Sequence, residues 1–251
     1  MKISAVIIAH NEEEKIARAI DSVNWADEIL LVDSESTDRS REIAASLGAK
    51  VIVQKWPGFS KQKQFAVDSA ENDWIFSLDA DEQVSEELKT EILKLKTSEN
   101  ILADGYKLAR LSYYLDRPIR HSGWYPDWQL RFFNRKKGRW KDVLIHESVV
   151  VEGKIERLGG DLLHFSVENA AHHHRMIGER YAPLAAEQMF ISGKATTVLK
   201  IATAGFTTFF QTYFLKLGFL DGFAGFCIAR FAAHHAFLKH LILWELQRNK
   251  K

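Results

Sequence analysis

The sequence predicts an α/β fold, with a mostly parallel sheet flanked by helices and a helical appendage at the C-terminus. Three observations predict it. Apolar strand-like runs alternate with helical patterns through the first hundred residues, polar clusters follow those runs, and the pattern is helical beyond Glu168. Such alternation is typical of a parallel sheet covered by helices.

The first two predicted strands each end at polar residues. Ala5–Ala9 is a continuous apolar run, as expected for a strand buried on both faces, and His10-Asn11-Glu12 follows it. Glu28–Val32 predicts the second strand, which ends at Asp33. Between the two strands, Asn11 has the residue type and position that predict a helix cap.

The alternation then continues to a fourth strand and helix. The predicted elements are a helix over Asp38–Leu47 closed by Gly48, a strand over Lys50–Gln54, a helix from Ser60, a strand over Trp74–Leu78, and a helix capped by Ser85. In open sheets of this kind, ligands bind outside the carboxyl ends of the strands. The topology would therefore gather His10-Asn11-Glu12, Asp33-Ser34-Glu35-Ser36, Gln62-Lys63 and Asp79-Ala80-Asp81 along one edge.

Asp79 and Asp81 are the candidate metal ligands. Two carboxylates separated by one residue at a strand end can share a hard cation such as Mg²⁺ or Mn²⁺. That cation would neutralise a diphosphate and stabilise the charge on a leaving group. The alternative interpretation of Asp-x-Asp is a solvated turn. Because neither G-x-G-x-x-G after the first strand nor G-x-x-x-x-G-K-[ST] occurs, a dinucleotide Rossmann site and a P-loop are disfavoured, and a metal with Lys63 could hold the phosphates.

Composition excludes several classes of protein. The net charge of +1 gives no case for nucleic-acid binding, and the single cysteine, Cys227, excludes an internal disulfide and a cysteine-based zinc site. This cysteine content is expected in a reducing compartment such as the cytoplasm. The apolar N-terminus meets polar residues too soon for a signal peptide and is interpreted as a buried strand.

From about Gly105 to Phe165 the sequence predicts shorter, aromatic-rich strands. Trp124 and Tyr125 are either core aromatics or a platform for a sugar acceptor. A cluster of basic residues is either a charged hairpin or a binding site for a phosphorylated acceptor. It consists of Arg131, Arg135, Lys136, Lys137, Arg139 and Lys141. The run His172-His173-His174 is interpreted as a helical surface, since consecutive helical residues point in different directions.

The C-terminal third is both apolar and basic. Residues 172–251 hold ten Lys and Arg against four Asp and Glu. Ile201–Leu243 is rich in Phe, Leu, Ile and Ala, but charged residues interrupt it too often for a confident membrane span. This pattern is typical of helices that lie in a membrane interface. The alternative is a helical subdomain packed on its own sheet or on a second subunit.

Several motifs together resemble family 2 glycosyltransferases of the GT-A fold. They are Ala9-His10-Asn11-Glu12, Asp33-Ser34-x-Ser36-Thr37-Asp38, Gly58-Phe59-x-x-Gln62-Lys63 and Leu78-Asp79-Ala80-Asp81-Glu82. Further stretches narrow the resemblance to small bacterial enzymes of lipopolysaccharide core biosynthesis: Gly123-Trp124-Tyr125-Pro126-Asp127, Ile145-His146-Glu147, Asp161-Leu162-Leu163-His164 and Gly218-Phe219-Leu220-Asp221-Gly222.

The resemblance implies a role for each matching residue. Ala9, His10, Asn11, Glu12 and Asp33 would contact the nucleoside, and Gln62 and Lys63 would lie beside the diphosphate. Asp81 would be the principal metal ligand, Asp79 would contact the ribose or the metal, and His164 would be a further ligand. The catalytic base would be Glu147 or Asp127, of which Glu147 is favoured.

The resemblance also implies an activity, which is the metal-dependent, inverting transfer of a hexose from a nucleotide-sugar. UDP is the favoured nucleotide, and the acceptor would be a glycan or glycolipid such as the lipopolysaccharide inner core. We expect residues 1–168 to form the GT-A domain, with a nucleotide-sugar half over 1–100 and an acceptor half over 101–168. Residues 169–251 would form a membrane-associated or oligomerising helical region, with the protein peripheral on the inner face of the cytoplasmic membrane. The alternatives are another envelope or exopolysaccharide acceptor, an Asp79-dependent phosphatase, and a non-catalytic nucleotide-sugar-binding protein.

Overall fold

The protein is described by a computed structural model that covers residues 1–98, 102–142 and 147–249. The chain forms two compact units. The first consists of Met1–Arg110 and Asp127–His164, and the second of Leu111–Pro126 and Phe165–Lys251.

The first unit holds most of the strands. Its strands are β1 (Ile3–Ala9), β2 (Glu28–Asp33), β3 (Lys50–Val53), β4 (Trp74–Asp79), β5 (Glu82–Val84), the start of β6 (Gly105–Tyr114), β8 (Asp127–Asn134), β9 (Gly138–Trp140), β10 (Val149–Val151) and β11 (Ile155–His164). Strand β7 (Arg117–Pro118) lies in the second unit. The helices of the first unit are α1 (Ile16–Ser22), α2 (Ser40–Ser46), α3 (Phe59–Ser69) and α4 (Glu86–Thr97).

The main sheet has the order β3-β2-β1-β4-β8-β6-β11-β5. Strands β3, β2, β1 and β4 are parallel, whereas β8 is antiparallel to β4. The central strands are buried on both faces, with Ile3, Ile7 and Phe76 on one side and Val6 and Ile75 on the other. This mixed sheet, with β3, β2, β1 and β4 as its parallel half, confirms the predicted α/β class and the GT-A fold.

The parallel half matches the predicted elements closely, with one local error. Gly48 ends its helix region at φ 85°, and Ser85 caps α4 by accepting a hydrogen bond from the Leu88 amide at 3.2 Å. Asn11 does not cap α1, which begins five residues later at Ile16. Instead Asn11 takes φ 54°, and its side-chain oxygen accepts from the amide of Thr37 at 2.8 Å. A tertiary contact thus replaces the predicted local one.

The second unit is mainly helical. Its helices are α5 (Ala170–Arg175), α6 (Ala182–Ile191), α7 (Val198–Phe210) and α8 (Gly222–Arg248), with π-helical segments over Met176–Tyr181 and Gln211–Leu215 and a 3₁₀ turn over Gly218–Asp221. Asp221 is buried and fixes the segment before Ser122, because its carboxylate accepts from the amides of Arg120 at 3.2 Å and His121 at 3.0 Å.

The boundaries of the two compact units differ from those of the predicted domains, because the second unit includes Leu111–Pro126. Residues 111–126 were predicted in the acceptor half, yet they belong with the C-terminal helices, because Tyr114 and Ile119 share one core with Ala224 and Ile228. Trp124 packs against this core, which favours its interpretation as a core aromatic.

The second unit leaves many large apolar side chains exposed. The exposed side chains include Val198, Leu199, Phe206, Phe210, Phe214, Leu215, Leu217, Phe219, Leu220 and Phe223, which we call the aromatic surface. Ring contacts join part of it through Phe210, Phe214, Tyr213 and Phe219. Within the described ranges, every helix falls short of the combined length and hydropathy that crossing a bilayer requires.

Candidate active site

Asp79 is the last residue of β4 and lies between two cations. Lys63 of α3 brings its Nζ to 2.8 Å from Asp79 Oδ1, and Arg131 of β8 brings Nη2 to 2.7 Å from Oδ2. Burial alone would raise the pKa of Asp79, but Arg131 and Lys63 outweigh it and hold that pKa far below its usual value. Both oxygens of this carboxylate are therefore already compensated by protein cations.

Arg131 is buried and joins Asp79 to a second carboxylate. Its Nη2 also lies 3.0 Å from Glu82 Oε1, and Glu82 Oε2 accepts from the Asp79 amide at 2.9 Å. Burial would lower the pKa of Arg131, yet Asp79 and Glu82 raise it further above its usual value. The sequence grouped Arg131 with a charged hairpin, whereas Lys136 and Lys137 of that cluster form exposed ion pairs with Asp73 and Asp104.

Asp81 has a different environment, created by strand pairing. Strand β5 pairs with the end of β11 and sets His164 opposite Glu82, one residue after Asp81. As a result His164 Nε2 lies 3.5 Å from Asp81 Oδ2. Burial would raise the pKa of Asp81, but the neighbouring His164 lowers it.

The Asp81–His164 pair has the chemistry of a partial metal site. Carboxylate oxygen and imidazole nitrogen are both ligands of divalent metals such as Mn²⁺. Among the residues described here, no three acidic, histidine or cysteine side chains are grouped to hold one ion. Cations that act on phosphates commonly take few protein ligands and complete their shell with phosphate oxygens and water. The two side chains fit that pattern, so they could hold a metal that also binds a diphosphate.

The two candidate bases differ in their surroundings. Glu147 Oε1 lies 3.8 Å from Lys63 Nζ, and its side chain is partly exposed, so the structure brings it beside the lysine that pairs with Asp79. Asp127 forms a two-point pair with Arg110, whose Nη2 and Nε lie 2.6 and 2.9 Å from its Oδ2, and Gln129 donates to its Oδ1 at 2.7 Å. Ile145 and His146 of the same motif lie outside the described residues.

The predicted nucleoside residues form a hydrogen-bonded edge at the ends of β1 and β2. Asp33 is buried, and its carboxylate accepts from the Ser36 amide at 2.9 Å and from the Ser36 hydroxyl. The Ala9 carbonyl accepts from the Ser34 amide at 2.8 Å, and Gln62 donates to Ser34 Oγ at 3.1 Å. Asp33 therefore shapes the turn that follows β2.

The residues after β1 are tied to the same turn. His10 Nδ1 lies 2.7 Å from the Ser34 carbonyl, the Asn11 amide donates to Ser36 Oγ at 2.9 Å, and the Glu12 amide donates to Ser40 Oγ at 2.8 Å. The side chains of His10 and Asn11 are exposed. This edge thus offers exposed polar groups on a backbone fixed by buried hydroxyls and a carboxylate.

Comparisons with known proteins agree on one family. Residues 4–150 match the model described as glycosyl transferase family 2. An uncharacterized glycosyltransferase of Rickettsia bellii (strain RML369-C) is 35% identical over 98% of this chain and 87% of its own length. The lipopolysaccharide core biosynthesis glycosyltransferase LpsC of Rhizobium meliloti (strain 1021) is 30% identical over 95% of this chain and 90% of its own length.

A solved structure is similar to part of the chain. It is glucosyl-3-phosphoglycerate synthase from Mycobacterium tuberculosis, crystallised with Mn²⁺, UDP and glucosyl-3-phosphoglycerate. The TM-score is 0.36 and the identity is 26%, over 45% of this chain and 44% of that one.

Proposed function

Because the chain belongs to glycosyl transferase family 2, we propose that it moves a hexose from a nucleotide-sugar, with UDP as the nucleotide, to a cell-envelope glycan. One observation carries the proposal. At the carboxyl end of β4, a carboxylate–histidine pair, two buried cations and a partly exposed carboxylate lie within one unit. Each has a use in breaking a bond between a sugar and a diphosphate.

The donor would bind across the ends of β1, β2 and β4. Ala9, His10, Asn11, Glu12 and Asp33 would form the nucleoside side. Gln62 and Lys63 of α3 and Asp79 at the end of β4 would lie toward the diphosphate.

Asp81 and His164 would hold a divalent metal, Mn²⁺ or Mg²⁺, beside the diphosphate. When bound, the metal supplies positive charge to the phosphate oxygens of the leaving group. The lowered pKa of Asp81 suits this role, because a carboxylate must be ionised to act as a ligand.

Glu147 would be the general base of an inverting transfer. The acceptor hydroxyl oxygen forms its bond to C1 of the sugar while the bond from C1 to the diphosphate oxygen breaks, and the hydroxyl proton passes to the Glu147 carboxylate. Lys63 and Arg131 are placed to compensate the negative charge that grows on the diphosphate. Asp127 is the less suitable base, because Arg110 already holds its carboxylate.

For the acceptor, we propose a saccharide of the lipopolysaccharide inner core. The support is the similarity to LpsC over nearly the full length of both proteins. Another envelope glycan or an exopolysaccharide is the alternative acceptor, and an assay with both kinds of acceptor distinguishes them.

The donor is tested by thermal unfolding with a panel of UDP-, GDP- and ADP-sugars, each with Mn²⁺, with Mg²⁺ and with EDTA. A ligand that binds only the folded state raises the unfolding temperature. We expect one UDP-hexose to raise the unfolding temperature more with metal than with EDTA, and Asp81→Asn to lose the metal-dependent part of that increase. Asp68→Asn is the matched control, since Asp68 is exposed on α3. No stabilisation by any nucleotide-sugar would contradict the proposal.

The second unit would bind a membrane surface, where a glycolipid acceptor is found. The aromatic surface is exposed, and Lys194, Lys200 and Lys216 are exposed in the same part of the chain. Apolar side chains that enter the headgroup region together with Lys that attract anionic lipids are the two features of interfacial binding. The protein would then be peripheral on the inner face of the cytoplasmic membrane.

Vesicle flotation tests the membrane proposal. We expect binding to vesicles that contain phosphatidylglycerol, and a loss of binding in Phe206→Ser/Phe223→Ser. The matched control is Leu102→Ser, an equally exposed apolar residue in the first unit. Equal flotation of all three proteins would contradict the proposal. So would a stable dimer, broken by the double substitution, that does not float.

A further inference from the structure

Lys63 and Arg131 are two buried cations that share the carboxylate of Asp79, and Arg131 also contacts Glu82. The side chains of Lys63 and Arg131 are 5% and 3% exposed. Arg131 Nη2 donates to Asp79 Oδ2 at 2.7 Å, and Lys63 Nζ donates to the same oxygen at 3.1 Å while lying 2.8 Å from Oδ1. The carboxylate thus occupies both cations at once, as a phosphate group would.

The site holds buried hydrogen-bond donors that Asp79 does not satisfy, although Asp79 Oδ1 itself accepts no hydrogen bond among the described residues. Arg131 Nε and Nη1 and Trp140 Nε1 are buried and have no hydrogen-bond partner among the described residues. The Trp140 ring packs against both cations, with its centroid 4.8 Å from Lys63 Nζ and 5.7 Å from Arg131 Cζ. Buried donors without an acceptor are rare in proteins and call for an explanation. An anion with more oxygens than a carboxylate would satisfy them.

The neighbouring Asp81 has a different partner from Asp79. It pairs with His164, whereas Asp79 pairs with the cations, although only Ala80 separates the two residues. A metal that bound Asp79 would have to displace Lys63 or Arg131 from a short contact. The arrangement therefore separates a metal side at Asp81 from a cationic side at Asp79.

We propose that Lys63 and Arg131 form a metal-independent site for phosphate oxygens of the donor, and that Asp79 is the counter-ion of this site rather than a metal ligand. The inference rests on the proposed function and goes beyond it by assigning Asp79 to the two cations and not to the metal. Arginine suits such a role because its guanidinium presents several donors in one plane to phosphate oxygens. The Asp79 charge would stabilise the two buried cations when no diphosphate is present.

Binding of inorganic pyrophosphate and of UDP in EDTA, measured by calorimetry, tests this proposal. Asp79→Asn removes the competing negative charge at similar volume, so we expect pyrophosphate to bind about tenfold more tightly or better. Arg131→Gln and Lys63→Gln each remove a charged donor, so both should weaken that binding about ten- to hundredfold. Arg139→Gln, an exposed arginine on the neighbouring β9, is the control for net charge and should leave binding unchanged.

Binding of UDP with Mn²⁺ separates the possible failures. If Asp79→Asn weakens Mn²⁺-dependent UDP binding as much as Asp81→Asn does, Asp79 is a metal ligand and the inference is wrong. If UDP binds with Mn²⁺ but no substitution at Asp79, Arg131 or Lys63 changes pyrophosphate binding, the inference fails while the proposed function stands. If the unaltered protein binds no nucleotide under either condition, both fail. Lys63→Gln and Arg131→Gln alter the site independently, so either suffices if the other does not fold.

Discussion

The candidate site of the first unit favours the charged forms of its buried groups, whereas the helical core of the second favours the neutral forms. At the site, the pKa values of Asp79 and Asp81 are lowered and that of Arg131 is raised, because each group has partners of opposite charge or a histidine donor that outweigh the effect of burial. All three shifts favour the charged form.

In the second unit, burial favours the neutral form. It lowers the pKa of His173 to about 4 and raises that of Tyr114 to about 12, and it also lowers the pKa values of His235, Lys239 and His240. The first unit therefore keeps charges beneath its surface by pairing them. Among its described residues, the second unit buries Asp221 but few other charged side chains, and it exposes many apolar ones. The first arrangement suits a reaction with an ionic leaving group, and the second suits contact with lipid.

The largest expected effect tests whether the charges of the first unit perform chemistry. Glu147→Gln should lower kcat about 10²- to 10⁴-fold while donor binding changes little, because only general-base assistance is lost. Initial-rate measurements over donor and acceptor concentrations check this. Asp127→Asn is the matched variant, and we expect a smaller loss of kcat from it. A greater loss in Asp127→Asn would reverse the two roles.

The next effect is the loss of stability expected when the buried carboxylates of Asp79 and Glu82 lose Arg131 as their partner. Arg131→Met should lower the free energy of unfolding by about 3–5 kcal/mol, because Asp79 and Glu82 lose a buried partner. Urea unfolding measures the change, and the exposed Arg139→Met should stay within about 0.5 kcal/mol of the unaltered protein. Equal stability of the two variants would show that the Arg131 network does not stabilise the fold.

A third prediction concerns the neutral groups of the second unit. The folded-state pKa of His173 is about 4, below its ordinary value of 6.5, so the unfolded chain takes up the proton first as the pH falls. His173 should therefore cost stability progressively from about pH 6.5 down to 4, on the order of 2–3 kcal/mol in total.

Unfolding titrations between pH 7 and 4 check the His173 prediction. His173→Phe keeps an aromatic ring against Phe231 and should remove this part of the pH dependence. An unchanged pH profile in that variant would assign the loss of stability to other groups.

The smallest effect is expected at the aromatic surface. Phe223→Ser should change the free energy of unfolding by no more than about 0.5 kcal/mol, because the side chain is 71% exposed and contributes little to the core. Thermal or urea unfolding measures it. A large loss of stability would show that this side chain is part of the packing, not a free surface.

The parallel half of the fold was predictable because its signals are local. The apolar runs ending at Ala9, Asp33 and Asp79 mark the central strands, and their polar ends mark the binding edge. The short strand β5 was not predicted, since Glu82-Gln83-Val84 has no strand-like pattern and forms only by pairing with β11. That pairing is what brings His164 to Asp81.

Arg131 was missed for a physical reason. Its neighbours in the sequence, Arg135 to Lys141, are mostly charged and exposed, so a hairpin explanation sufficed. A signal was nevertheless present, because Arg131 lies between Leu130 and Phe132 within a strand-like run. A charged residue at such a position is buried only when it is paired. Its partners, Asp79 and Glu82, are about fifty residues away, and only the folded sheet identifies them.

The most direct test is a crystal structure of the protein with Mn²⁺ and UDP, with anomalous scattering used to locate the metal. We predict that the ion contacts Asp81, His164 and the diphosphate, while Asp79 remains with Lys63 and Arg131. An ion bound away from Asp81, with that carboxylate facing water, would contradict the proposed mechanism.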